Sequence, residues 1–326
     1  MRWNGSGLAL SSIAVLVIAG VAISIYSSEN TGKETFTVSF RDDFGGKAFR
    51  GNTVCPINYT ITGGTPNYTV ELFYRFGGAG WVAIGYDNRT ESGNYSYNWI
   101  TPWATSTEVQ LKITVTDSTL TTKYAESTRF EIDSTAPGEV TDLIATNATK
   151  TSIELQWSAP GDDGTSGSAS SYDIRYNTLE ITEANWNSSI QCTGEPTPTV
   201  GGTLQKFTVG ELTPGTKYYF ALKSKDNVGW ESNISNIATA HTLVEVTLNS
   251  PVGGEAWKGD TSYTIQYSIA GTEAPFTVKL YYAYNDTSFI FIGYDNRTAA
   301  GECSYNWTTP EILSVSARVK INVTDN

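Results

Sequence analysis

Residues 36–117 align without a gap onto residues 244–325, at an offset of 208, with about 34 of 82 positions identical. Within this duplication Gly85-Tyr86-Asp87-Asn88-Arg89-Thr90 returns letter for letter as residues 293–298, and Ser96-Tyr97-Asn98-Trp99 as residues 304–307. A unit used twice in one chain is a poor host for a unique active site, so the repeat points to modular architecture. A chain of 326 residues is also long for one small domain. The repeat divides it into an N-terminal segment 1–33, a first copy 34–134, a middle module 135–243 and a second copy 244–326.

The local pattern is that of strands. Tyr59 and Ile61 alternate with polar residues, as do Val70, Leu72 and Tyr74, and then Leu111, Ile113 and Val115. The second copy repeats these runs in Tyr267 and Ile269, in Val278, Leu280 and Tyr282, and in Val319, Ile321 and Val323. Nineteen Tyr and nine Trp suit half-buried pleated faces, and turn residues separate the runs at short intervals. The expected fold is all-β, with three tandem β-sandwiches after an N-terminal hydrophobic helix.

The second copy contains Pro251-Val252-Gly253-Gly254-Glu255-Ala256-Trp257-Lys258-Gly259, the strand Tyr263-Thr264-Ile265-Gln266-Tyr267, and Tyr305-Asn306-Trp307-Thr308-Thr309-Pro310. These segments resemble an immunoglobulin-fold repeat common in secreted microbial and fungal cell-wall proteins. The first copy, with Phe49 in place of Trp257, matches more loosely. The middle module opens with Pro137-Gly138-Glu139-Val140-Thr141-Asp142-Leu143 and continues with alternating Ile153, Leu155 and Trp157, then Tyr172, Ile174 and Tyr176. Together with Leu212-Thr213-Pro214-Gly215-Thr216-Lys217-Tyr218-Tyr219-Phe220, these residues resemble the fibronectin type III domain. The resemblance implies that the Tyr218 hydroxyl bonds back to the upstream backbone, and that Tyr218, Phe220 and Leu222 pack against Trp157. A long loop from Gly161 to Ser171 and an excursion from Ile181 to Thr199 depart from the animal form and resemble microbial versions.

Leu8 to Tyr26 is a nearly continuous apolar stretch of the length that crosses a hydrocarbon core as a helix. Arg2 precedes it, while Glu29, Lys33 and Glu34 follow, so the charge bias places everything after residue 30 outside. The segment reads as an anchor in the membrane, with a cleaved signal as the alternative, and both export the modules to the cell surface or beyond. Asn-x-Ser/Thr acceptors agree with export. They fall at Asn58, Asn67, Asn88, Asn94, Asn147, Asn187, Asn233, Asn285, Asn296, Asn306 and Asn322, about twice what composition gives, and are read as glycosylation candidates.

Chemistry has little to build on. Cys55, Cys192 and Cys303 fall one to each module, so none can form an internal disulfide, and they read as buried or half-exposed single thiols. The single histidine, His241, reads as a linker residue and excludes His-based acid–base, triad or zinc chemistry. Asp162 and Asp163 are weak calcium candidates in a Gly-flanked loop without an acidic ladder. Asp87 and Asp295 read as exposed turn residues. Lys258-Gly259-Asp260 corresponds to Arg50-Gly51-Asn52 in the first copy, which reduces an adhesion-like tripeptide to a turn. Among Trp81, Trp103, Trp186 and Trp230, read as exposed, Trp81 maps to Phe289 and reads as packing. Trp103 maps to Glu311 and is kept as a sugar or protein contact candidate. A net charge of -12 opposes nucleic acid as a partner, and no cofactor is implied.

The resulting expectation is not an enzyme but a glycosylated surface protein serving as a stalk, adhesive or envelope component. The alternative is the accessory region of a longer surface enzyme, a protease or glycosidase. After Asp117 the first copy runs on through an alternating segment, residues 127–133, that reads as its last strand, whereas the second copy has no equivalent. A sandwich without that strand exposes an unpaired edge, which makes self-association or continuation of the chain part of the expectation.

Overall fold

The structure is a computed structural model that describes residues 34–271, 275–285 and 287–325, together with the backbone of 15–18 and 21–24. The expected helix over residues 8–26 lies largely outside the described residues. The eight residues described there form two antiparallel strands instead, β1 (Val15–Ile18) and β2 (Val21–Ser24). β-Branched Val and Ile favour extended backbone unless lipid forces the helix. Among the described residues no helix is long and apolar enough to cross a membrane. Among the described residues, a 3-10 turn at Trp186–Ser188 interrupts an otherwise all-β succession of elements.

By its contacts the chain forms two compact units, Met1–Asp133 and Ser134–Asn326. The first contains β3 (Thr37–Phe40), β4 (Ala48–Arg50), β5 (Val54–Thr62), β6 (Thr69–Phe76), β7 (Val82–Tyr86), β8 (Gly93–Ile100), β9 (Ser106–Thr116), β10 (Thr122–Glu126) and β11 (Phe130–Asp133). One sheet has the order β3-β5-β8 and the other β4-β11-β9-β6-β7, with β10 also on β9. The period-2 runs seen in the sequence supply the core. Tyr59 and Ile61 of β5 face Val70 and Leu72 of β6 and Leu111, Ile113 and Val115 of β9, all buried. β11 closes the sandwich by pairing antiparallel with β9 and parallel with β4, which buries Phe130 and Ile132 against Phe44.

The second unit holds two sandwiches. Its first part contains β12 (Ile144–Thr146), β13 (Ile153–Ser158), β14 (Ser171–Asn177), β15 (Ile190–Gln191), β16 (Leu204–Val209), β17 (Lys217–Lys225) and β18 (Ala238–His241), in sheets β12-β13-β16 and β15-β14-β17-β18. Its second part contains β19 (Glu245–Ser250), β20 (Ser262–Ala270), β21 (Phe276–Tyr284), β22 (Ile290–Tyr294), β23 (Gly301–Thr308) and β24 (Ala317–Asp325), in sheets β19-β20-β23 and β22-β21-β24. The two parts abut through glycine: a side chain at Gly215 would stand 2.7 Å from the Gly271 Cα. His241 lies within the last strand of the first part, opposite Lys217, rather than in a linker.

The two copies share a frame but not a core. Leu111, Ile113 and Val115 are at most 1% exposed, whereas their counterparts Val319, Ile321 and Val323 on β24 are only half-buried. Phe44 is 2% exposed and its counterpart Val252 is 75% exposed. The cause is local. In the first copy β10 and β11 cover the outer edge of β9, while among the described residues β24 pairs with β21 alone.

Candidate functional site

The letter-for-letter hexapeptide builds the same polar node in both copies. Asp87 leaves the end of β7 with its amide donating to the Val70 carbonyl (2.9 Å), and its carboxylate accepts from the buried Tyr59 hydroxyl and pairs with Arg89. In the second copy the Tyr267 hydroxyl donates to Asp295 at 2.6 Å, and Asp295 pairs with Arg297. Arg89 also lies over the Tyr95 ring, 4.3 Å from its centroid. Burial, and then the adjoining carboxylate, raises both tyrosine hydroxyls above their ordinary value. For Arg297, the hydrogen bond with Tyr267 leads in raising the guanidinium. Asp87 and Asp295 are therefore members of a half-buried network that pins a core tyrosine, not exposed turn residues. The first letter of the motif is steric. A Cβ at Gly85 would stand 2.2 Å from the Tyr97 hydroxyl, and one at Gly293 would stand 2.3 Å from that of Tyr305.

In the middle region Trp157, Tyr172, Tyr218 and Phe220 share one core, and Trp157 meets Tyr172 edge-on at 5.2 Å. The Tyr218 hydroxyl accepts from the Thr213 amide at 3.0 Å, the upstream backbone bond implied by the resemblance. Tyr172 donates to Gln205, which in turn donates to the Thr197 carbonyl at 3.0 Å, tying the excursion to the core. The excursion also carries Trp186, which is buried against Ile181 and Ala221 rather than exposed, with Arg175 and Lys223 each about 5 Å from its ring. Trp230 is half-buried, and its amide donates to Asp226. Trp81 is half-buried too, with Arg75 over its ring at 4.2 Å, whereas Trp103 is 66% exposed.

The remaining candidates stay apart. Asp162 and Asp163 lie in a loop folded tightly on itself, where Asp163 and Ser166 exchange backbone hydrogen bonds. Among the described residues no three His, Cys, Asp or Glu side chains come together to hold a metal ion. All three cysteines are buried and free, and burial pushes the Cys55 thiol up to about 11 and that of Cys192 up to about 12. Such thiols are inert nucleophiles near neutral pH. In Lys258-Gly259-Asp260 the left-handed residue is Asp260, as Asn52 is in the first copy. The acid therefore serves a turn whose amide donates to Thr309. Ten of the eleven glycosylation candidates are exposed. Asn58 is half-buried in β5, with its amide donating to Asp42 at 2.7 Å. Neither the Tyr–Asp–Arg node nor the burial of Trp186 was read from the sequence. An identical tripeptide spacing in both copies was the available signal for the node.

The geometry defines an array of β-sandwiches, one of which is of the fibronectin type III class: the family model of that domain matches residues 135–241. Chitinase A1 of Niallia circulans is 34% identical over 133 residues, 40% of this chain and 16% of that protein. Calcium-activated chloride channel regulator 1 of Mus musculus is 33% identical over 114 residues, 33% of this chain and 12% of that protein. Exoglucanase B of Cellulomonas fimi is 25% identical over 179 residues, 54% of this chain and 14% of that protein. The chain thus spans 12% to 16% of the length of these relatives. A solved segment of titin is 15% identical at a TM-score of 0.44, covering 64% of this chain and 67% of that one.

Proposed function

We propose that this chain is a glycosylated, exported array of three β-sandwich modules, 34–134, 135–243 and 244–326, that acts without catalysis as a spacer and contact surface on the cell envelope. One observation carries this reading. Gly85, Asp87 and Arg89 and their counterparts, identical in both copies, serve the frame, whereas outward positions of the same sheet such as Glu71, Ala83 and Gln110 differ from Lys279, Phe291 and Arg318. Duplication of a frame with divergence of its surface is the economy of an architectural repeat. The apolar stretch from Leu8 to Tyr26 is the proposed membrane anchor, and the exposed Asn acceptors are the proposed glycan sites. The flanking modules are proposed to be kin to the immunoglobulin-fold repeats of microbial and fungal wall proteins. The outer edge of β24, with Val319, Ile321 and Val323 only half-buried, is proposed as a self-association surface.

A second reading, a module region of a longer surface enzyme, is favoured by the likeness to chitinase A1 and exoglucanase B. Two measurements test these readings. The purified chain is expected to release no reducing sugar from chitin or β-glucan, and hydrolysis would overturn the non-catalytic reading. The second reading requires that the intact mass of the native protein, after deglycosylation, exceed that of this chain.

A further inference from the structure

The outward face of the sheet β22-β21-β24 differs from the rest of this acidic chain. The register places Tyr281 beside Phe291 on β22 and beside Lys320 on β24, and places Lys279 beside Tyr294. The rings form a run: Tyr281 and Phe291 centroids are 5.6 Å apart, and Phe291 and Tyr294 are 5.0 Å apart. Phe289 extends it, and Phe289, Phe291 and Tyr294 are 41%, 46% and 59% exposed. Three cations are interleaved with them. Lys279 stands 5.8 Å from Tyr294, Lys320 stands 5.4 Å from Phe289, and Arg318 stands 5.7 Å from Phe289. In a chain with 33 acidic and 21 basic residues, no carboxylate occupies, among the described residues, the outward positions that pair with one another across this face.

The first copy is an internal control. At the positions of Lys279, Phe291 and Arg318 it carries Glu71, Ala83 and Gln110. Its Arg75 is paired with Glu126. The same frame there keeps Lys112, 5.6 Å from the Trp81 ring, but places an acid at Glu71 and leaves a gap in the ring run at Ala83, so the continuous ring run with Lys279 and Arg318 beside it is particular to the second copy.

We propose that this face binds an acidic polysaccharide chain. Half-exposed ring faces accept the apolar C–H faces of pyranose rings, and Lys279, Arg318 and Lys320 meet the carboxylates or sulfates along the chain. The partly covered rings lie among the cations along the sheet, an arrangement that suits a ligand lying across the strands rather than a wedge entering a bilayer. Asn322, a glycan acceptor on the same face opposite Lys279, would place its own sugar beside the site. The inference rests on the surface-contact reading, but its failure is separable, because binding is measured independently of hydrolysis.

The test uses the full chain with Asn322→Gln, kept in solution with mild detergent, in affinity electrophoresis through polygalacturonate. The expected result is retarded migration that weakens as salt is raised. A variant carrying the first copy's residues, Lys279→Glu, Phe291→Ala and Arg318→Gln, is expected to bind about tenfold more weakly or less. Circular dichroism is expected to be unchanged, since the same frame already accommodates those residues. Three outcomes would overturn the proposal: no retardation of the parent, equal retardation of the variant, or equal binding of neutral glucan, duplex DNA or anionic phosphatidylserine vesicles. If the variant fails to fold, the single substitution Lys279→Glu provides the comparison, and unaltered binding by it overturns the proposal equally.

Discussion

Removing the carboxylate at the duplicated node should cost more than removing its tyrosine partner, and the two losses should not add. Asp87→Ala leaves the buried Tyr59 hydroxyl without its acceptor and Arg89 without its ion partner. A hydrogen bond to a charged group contributes about 1.5–3 kcal/mol. The Arg89 side chain is 29% exposed, so the ion-pair share is screened, and the expected loss is about 2–3 kcal/mol. Tyr59→Phe removes one donor and leaves Asp87 with Arg89, for an expected loss of about 1–1.5 kcal/mol. The double variant no longer buries an orphaned hydroxyl, so the coupling energy is expected at about 1–2 kcal/mol. The assay is native-state hydrogen exchange by mass spectrometry on peptides from residues 54–76, which reads the opening free energy of that sandwich by itself. Asp295→Ala, read on residues 262–284, should reproduce the effect. Strict additivity, or a loss below about 0.5 kcal/mol for Asp87→Ala, would refute a structural role for the duplicated acid.

The unequal cores predict unequal mutants. Ile113→Ala, at a fully buried site, should cost about 3–4 kcal/mol in exchange-measured stability, and Ile321→Ala, half-buried on β24, about 1–2 kcal/mol; equal costs would contradict the difference in packing. The raised Tyr59 hydroxyl and Cys55 thiol bind their protons more tightly folded than unfolded, so their contribution is complete below the unfolded values and is lost as pH rises. The loss should begin near pH 9.0 for Cys55, whose folded value is about 11, and above about pH 10 for Tyr59. Thermal melts between pH 8 and 11 should flatten in Cys55→Ala and Tyr59→Phe. Glycopeptide mapping of protein secreted from a eukaryotic host should find Asn88 and Asn296 occupied and Asn58 bare, and a glycan on Asn58 would mean that β5 forms after glycosylation.

The strands were legible because period-2 alternation depends only on the pleat. Tyr59, Ile61, Leu111 and Ile113 announce their inward face without reference to a partner. The tyrosine corner was legible as well, since Leu212 to Phe220 is a local stretch and its bond from Thr213 to Tyr218 spans five residues. The node was not, because Tyr59 and Asp87 are 28 residues apart and meet only after β5 and β7 take places in facing sheets. Trp186 looked like a surface ring because the excursion carrying it has no periodicity, and its burial depends on Ala221 from another strand.

Alternation, the 208-residue offset and the turn residues sufficed to establish strands, a duplicated frame and the position of the middle fibronectin type III region, because each is a short-range or self-comparing signal. Which side chains those frames bury was a different matter. Leu111 and Val319 occupy the same place in the repeat, yet one is sealed and the other half-open, because β10 and β11 cover one edge and nothing among the described residues covers the other. The aromatic–cationic face has the same origin. Lys279, Tyr281, Phe291 and Lys320 are scattered in the chain and become neighbours only across strands about 4.8 Å apart, by a register that pairing alone sets.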